Sequence, residues 1–413
     1  MHGEGTSLLL GVGEGGLAQV HYWGPDLGRL GEAAMVDAAR STRRMQVDND
    51  PDVVLDPGLL PGAWTGWSGR PGLLGRRPGG TAWSPRLTTT SLSVQTEGVC
   101  GELAADSRVE TGPGTVILTM ADAEVGLCAT VTLTLGPGGT LLVRASLTNT
   151  GEGPYELDEL TVALPVPLEM DEILDFTGHW GRERFPQRTP VAFGAHLREG
   201  RHGRTGFDHP TLMAVGRHGF DFARGPLRAL HVAGPANHRT YLERLPEGRQ
   251  VLGGGELLHP GEVRLAPGES YEGPALHFVH GDGLDEAAHR VHTWVRSLPS
   301  APGPERPVTL NVWEAVHFDH SLPTLLALAD EAARIGVERY VLDDGWFGDR
   351  RDDTAGLGDW VVSDEAWPQG LHPLTDHVTA LGMQFGLWFE PEMINPDSET
   401  ARRHPEWVLS TRE

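Results

Sequence analysis

Cysteine is nearly absent from this 413-residue chain, which has only Cys100 and Cys128. Two cysteines exclude a disulfide scaffold and any zinc site built from several thiolates. Both fall in strand-like runs, and a buried free thiol is the expectation for each. Long apolar runs are missing too, and no window approaches the roughly 20 residues of a membrane-spanning helix. The start, Met1-His2-Gly3-Glu4-Gly5, lacks the basic region of a signal peptide, and Leu8-Leu9-Leu10 is too short for its core. A cytoplasmic protein is the simplest expectation. Basic side chains are scarce, 33 against 57 acidic, giving a formal charge of -24. That field repels nucleic acid and anionic membrane surfaces, and it tolerates neutral ligands such as sugars.

What is present divides in two. Up to about residue 280, β-rich runs recur, among them 115–120, 129–135 and 140–147. Turns such as Gly136-Pro137-Gly138-Gly139 separate them, which predicts a large antiparallel sandwich. Within it, residues 48–85 hold Pro51, Pro57, Pro61, Pro71, Trp64, Trp67 and Trp83. That stretch reads as an ordered loop over a surface or a neighbouring subunit. A helical spacing over 285–295 follows. Then Pro299, Pro302, Pro304 and Pro307 form a stiff linker, placing a domain boundary near 300.

Past the linker, strand and helix alternate. Strands are expected at 308–312, from 340 and at 384–389, with helices at 322–335 and 371–381. Right-handed parallel βα units of this kind build a (β/α)₈ barrel, whose site lies at the C-terminal strand ends. Three strands cannot close one. The expected fold is therefore an N-terminal antiparallel β-sandwich, residues 1–300, followed by an incomplete (β/α)₈ TIM barrel, residues 301–413.

The strand ends carry the candidate chemistry. Asp343 and Asp344 precede Gly345, where both can turn into the barrel mouth and accept hydrogen bonds from adjacent sugar hydroxyls. A cap for the following segment, or a pair with Arg350 or Arg351, is the competing reading. Trp313, Trp346 and Trp388 stand at three successive strand ends, where an indole can meet the apolar face of a pyranose. Core packing is the alternative for each of them. Glu390 and Glu392, two apart on one strand, project in parallel and make a poor pair of reacting carboxyls. His317-Phe318-Asp319-His320 has metal-ligand residue types but no spaced partner elsewhere. Gly11-Val12-Gly13-Glu14-Gly15-Gly16 opens no helix and reads as a turn.

Taken together, Trp313-Glu314-Ala315, Leu342-Asp343-Asp344-Gly345-Trp346-Phe347-Gly348, Leu357-Gly358-Asp359-Trp360, Pro368-Gln369-Gly370-Leu371 and the run 382–393 closely resemble glycoside hydrolase family 36, the bacterial α-galactosidases. His404-Pro405-Glu406-Trp407 continues the pattern, and Trp180-Gly181-Arg182-Glu183-Arg184 with Gly203-Arg204-Thr205 resembles that family's N-terminal sandwich. The resemblance implies retaining hydrolysis of terminal α-galactosyl groups from melibiose- and raffinose-type sugars, with no metal or organic cofactor. It also implies a smaller C-terminal β domain and, for the full-length form, a homo-oligomer, commonly a tetramer. By the same resemblance, Asp343 and Asp344 bind galactose hydroxyls, and Trp313 and Trp388 line the sugar pocket. The family's nucleophile lies in a Lys-x-Asp motif on the fourth strand and its acid/base aspartate near the sixth. Neither strand occurs here, so the expectation is an N-terminal portion that holds no catalytic residue and is inactive alone. The segment 59–80 departs from the family's usual sequence. A non-catalytic carbohydrate-binding homologue is the alternative, as is an α-N-acetylgalactosaminidase or transglycosylase of the same family.

Overall fold

The computed structural model describes all residues except 44–47, 49–55, 105–106, 304 and 410–413. Pro51 of the 48–85 stretch and the linker proline Pro304 lie outside the described residues. The chain divides into two compact units, Met1–Ala301 and Pro302–Glu413.

The first unit is built on two antiparallel sheets and a small N-terminal one. Strand Leu127–Leu135 shows why they pack, because every second residue from Leu127 to Leu135 is buried and the residues between are half-exposed. This is the period of a strand with one face on a core. Its neighbours Gly114–Asp122 and Leu141–Asn149 bury Val116, Leu118, Val143 and Leu147 on the same face. Against these lie Leu160, Val162, Leu242 and Leu252 of the second sheet. Each such side chain contributes roughly 1.5–3 kcal/mol when fully buried.

Among the described residues the larger sheet has eleven strands. Ala275–Asp282 sits in its middle, paired with Leu141–Asn149 on one side and Pro226–Ala233 on the other. The outermost strands are Val99–Glu102 and Arg182–Pro190. The second sheet, of six strands, is centred on Tyr155–Pro165 and Arg249–Glu256. Among the described residues, no helix is long and apolar enough to cross a membrane.

Three expectations are corrected here. Cys100 is exposed and Cys128 only half-buried, and both are free. Cys100 lies on the edge strand Val99–Glu102, and Cys128 on the outward row of Leu127–Leu135 with Thr130, Thr132 and Thr134. Within 48–85, Leu73–Arg76 is not loop but a strand on Tyr155–Pro165, its Leu73 buried against the sandwich. The first 280 residues are also not wholly β, because Glu32–Ser41 is an α-helix.

Among the described residues the second unit holds a three-stranded parallel sheet in the order Thr309–Asn311, Arg339–Leu342, Gln384–Leu387, which closes no barrel. Helix Leu322–Arg334 presents Leu325, Ala329 and Ala332, spaced by four and three residues, to Tyr340 and Leu342 of the central strand. Proline in its first turn costs no hydrogen bond, and Gly336, at φ +90°, follows its end. Helix His372–Ala380 adds Leu374 and Val378 to the same core. The buried Tyr340 hydroxyl donates to the Leu325 carbonyl at 3.0 Å, tying helix to strand.

Candidate active site

Parallel register brings the three strand ends level. Asn311 aligns with Val341, and Leu342 with Leu387. The ladder continues one bond further on each side, through Val312 N to Val341 O at 3.1 Å and Trp388 N to Leu342 O at 3.0 Å. Asp343 and Asp344 follow immediately, and Gly345, at φ +105°, turns the chain.

Both carboxylates are buried, Asp343 being 8% and Asp344 5% exposed, so each requires partners. Asp343 accepts from the Asn311 side-chain amide and from the Asp344 backbone N–H at 2.7 Å. Asp344 accepts a fork from Arg350, with Nε at 3.0 and 3.1 Å from its two oxygens and Nη2 at 2.8 Å from one. The Arg350 pairing weighed from sequence is thus present for Asp344. A carboxylate offers about four acceptor sites, so this fork leaves room for a further donor.

His320 packs nearby, buried, its ring edge-on to Trp367 at 5.7 Å. Burial is the largest cause lowering its pKa from 6.5, opposed by the Asp344 carbonyl and carboxylate. A neutral imidazole leaves Arg350 as the charge partner of Asp344. Among the described residues, no group of three or more His, Cys, Asp or Glu side chains could hold a metal ion.

The aromatic residues fall into two sets. Trp388, half-buried, lies 6.5 Å from Phe347 in a stacked arrangement and 6.1 Å from Trp360 edge-on. Its carbonyl accepts from Trp346 Nε1 at 3.0 Å. Trp346 itself is only 3% exposed and packs on Phe347 and Phe389. It therefore serves the core beneath the strand ends and offers no face to a sugar, the reading that an isolated strand-end tryptophan could not decide. Trp313 stands apart, opening the short helix Trp313–Val316 with its ring against His317 and Phe318 at 5.0 and 5.1 Å. Its backbone N–H donates to Asn311 Oδ1 at 2.8 Å. Glu390 is half-buried and Glu392 exposed.

Motif reading gives Asn311 no role, and Trp360 enters it only as part of the Leu357-Gly358-Asp359-Trp360 run. An asparagine two positions before a helix start is a known turn-former, and that signal could have found Asn311. A separate cavity of about 860 Å³ lies within the first unit, between strand Thr6–Val12, helix Glu32–Ser41 and strand Thr88–Thr96. None of the carboxylates and aromatics above lines it.

A large antiparallel sandwich, followed by parallel βα units with paired acids and indoles at their C-terminal strand ends, is the layout of a glycoside hydrolase. Comparison with known proteins narrows the class. A model described as the glycosyl hydrolase family 36 N-terminal domain matches residues 16–266, and the Melibiase model matches 270–413. The chain belongs to glycosyl hydrolase family 36. An α-galactosidase of Escherichia coli is 35% identical over 398 residues, covering 95% of this chain and 53% of the relative. The α-galactosidase AgaA of Geobacillus stearothermophilus is 32% identical over 303 residues, covering 71% of this chain and 41% of the relative. The chain thus spans about half the length of the curated relatives it matches. A solved structure of an AgaA variant in complex with raffinose superposes with a TM-score of 0.86 at 26% identity, covering 100% of this chain and 59% of that one. AgaB of the same organism gives 0.84 at 27% identity, covering 99% and 57%.

Proposed function

We propose that these residues form the galactose-recognising wall of a retaining α-galactosidase acting on terminal α-galactosyl groups of melibiose- and raffinose-type oligosaccharides. The observation that carries this reading is the level alignment of buried Asp343 and Asp344 with Trp313 and Trp388 at three adjacent strand ends. Ionised carboxylates accept from ring hydroxyls while an indole covers the apolar sugar face. AgaA variants complexed with raffinose and stachyose support an oligosaccharide substrate.

Retention needs two carboxyls about 5–5.5 Å apart across the glycosidic bond. Asp343 and Asp344 are consecutive on one strand end and already committed to Asn311 and Arg350, so they suit binding and not bond cleavage. On this reading the 413-residue polypeptide binds galactosides without turning them over. Its two free cysteines suit a reducing compartment, and we place it in the cytoplasm. A homo-oligomer, a tetramer by family resemblance, is the working assembly.

Binding and turnover measured side by side on the 413-residue polypeptide test the proposal. Galactose and raffinose should quench tryptophan emission saturably, with mannose as the control, while p-nitrophenyl α-galactoside stays intact. Absence of galactose binding overturns the recognition reading, and steady release of p-nitrophenol overturns the division of roles.

A further inference from the structure

Arg350 is only 5% exposed, and its guanidinium reaches well beyond the carboxylate it forks. While Nε and Nη2 hold Asp344, Nη1 donates to the Ala355 carbonyl at 3.3 Å and to Asn395 Oδ1 at 3.1 Å. Asp344 belongs to the loop after the second strand. Asn395 lies seven residues beyond Trp388, in the loop after the third. One rigid, planar side chain therefore joins the two loops, and the Phe318 ring from the loop after the first strand lies 5.5 Å from its centre.

The surroundings are shaped for this reach. Asn395 is fixed independently, its backbone N–H donating to Leu357 O at 3.0 Å and its Oδ1 accepting from Leu357 N at 3.0 Å. Gly356, at φ +78°, passes so close that a Cβ there would lie 2.8 Å from Arg350 N. Its own N–H donates to Asp397 O at 2.8 Å. A lysine at 350 would keep the charge but lose the fork and the third direction of donation.

We propose that Arg350 is a positioning residue for galactoside recognition, locking the Asp344 carboxylate and, through Asn395, the loop that leaves the third strand into one wall. The assignment rests on the galactoside reading of Asp344, but its mechanical part stands apart from that reading. The loss of Arg350 leaves Asp344 buried without a charge partner and frees the third-strand loop from it. A residue serving only its own loop has the first effect and not the second.

Hydrogen exchange and sugar binding on the 413-residue chain test the proposal together. In Arg350→Lys, amides at 344–348 and 394–398 should exchange about tenfold faster, with helices Leu322–Arg334 and His372–Ala380 unchanged. Arg350→Met should exaggerate the pattern, and Arg350→Lys carries the test if the methionine variant fails to fold. A change confined to 344–348, or one spread through both helices, overturns the clamp. Galactose binding should weaken about tenfold in Arg350→Lys, and Asn395→Ala should reproduce part of that loss without touching the carboxylate. Unaltered affinity in Arg350→Lys overturns the role in recognition. If the unmodified chain binds no galactose, the functional proposal fails, and the exchange pattern alone decides whether Arg350 joins the loops.

Discussion

Asn311 and Asp343, 32 residues apart in sequence, meet at the ends of neighbouring parallel strands, the Asn311 amide donating to the Asp343 carboxylate. The other end of the same amide accepts from Trp313 N–H at 2.8 Å. One small polar side chain thus fixes a candidate hydroxyl acceptor and the start of the helix that carries a candidate sugar-stacking ring. Asn311→Ala should weaken galactose binding about tenfold, since it removes a hydrogen bond to a charged acceptor. Asn311→Asp should be worse at pH 7, because it sets a second carboxylate against the first. Titration calorimetry of the two variants checks the order.

Gly345 makes the turn that follows both aspartates at the end of the second strand. At φ +105° it occupies backbone space that other residues rarely adopt, and a Cβ would lie 3.2 Å from Phe318 Cδ1 and 3.4 Å from the His320 ring. Gly345→Ala should destabilise the second unit by about 1–3 kcal/mol. Urea unfolding followed by tryptophan emission reads this, and an unchanged midpoint would contradict the strain.

The first unit carries a pH dependence in its buried histidines. Burial is the foremost cause pushing His209 and His277 down to about 4 and His280 to about 3, from 6.5. The neighbours His238 and Arg198, His231 and Arg144, and Arg290 and Arg228 push the three further in the same direction. Opposing them, Asp175 raises His209 and Glu286 raises His280. Folded values below unfolded ones mean that the unfolded chain binds more protons, so stability is whole above about pH 6.5 and falls as pH drops toward 4. Near pH 5 the melting temperature should fall with decreasing pH, and these three histidines contribute the equivalent of about three protons taken up on unfolding to that slope. Replacing His280 with glutamine should remove about one of them.

The thiols should separate by position. Cys100, exposed on an edge strand, should react with an aromatic disulfide at least about tenfold faster than half-buried Cys128. Cys100→Ser should abolish the fast phase alone.

Much of this molecule is legible in its sequence because its periods are clean. Alternation over 129–135 marks a strand with one buried face, and the spacing of Leu325, Ala329 and Ala332 marks a helix on a sheet. Cys128 shares parity with Thr130, Thr132 and Thr134, so the same alternation puts it on the outward row, and the expectation of a buried thiol runs against that parity. Helix Glu32–Ser41 was overlooked within a β-rich half, and it buries no side chain that would give it a strong apolar stripe. At the site, a strand ending in Asp-Asp-Gly was enough to place both acids at the C-terminal end of the second strand. Which acid Arg350 would take depends on the path of residues 345–350, and the Asn311–Asp343 contact depends on inter-strand register. Neither leaves a local sequence signal.

The central position of Ala275–Asp282 in the large sheet has a kinetic consequence. Apart from the short strand Ser270–Glu272, which pairs with Leu141–Asn149, the strands on one side of it precede residue 150 and those on the other lie between 172 and 233. During synthesis both sets emerge well before the strand that joins them, at about 5–20 residues per second. Until residue 282 clears the ribosome, Leu141–Asn149 and Pro226–Ala233 each present an open edge facing a gap one strand wide. Pairings this distant in sequence form slowly, so the vulnerable interval in this protein's life is the one in which those two edges wait for the same partner.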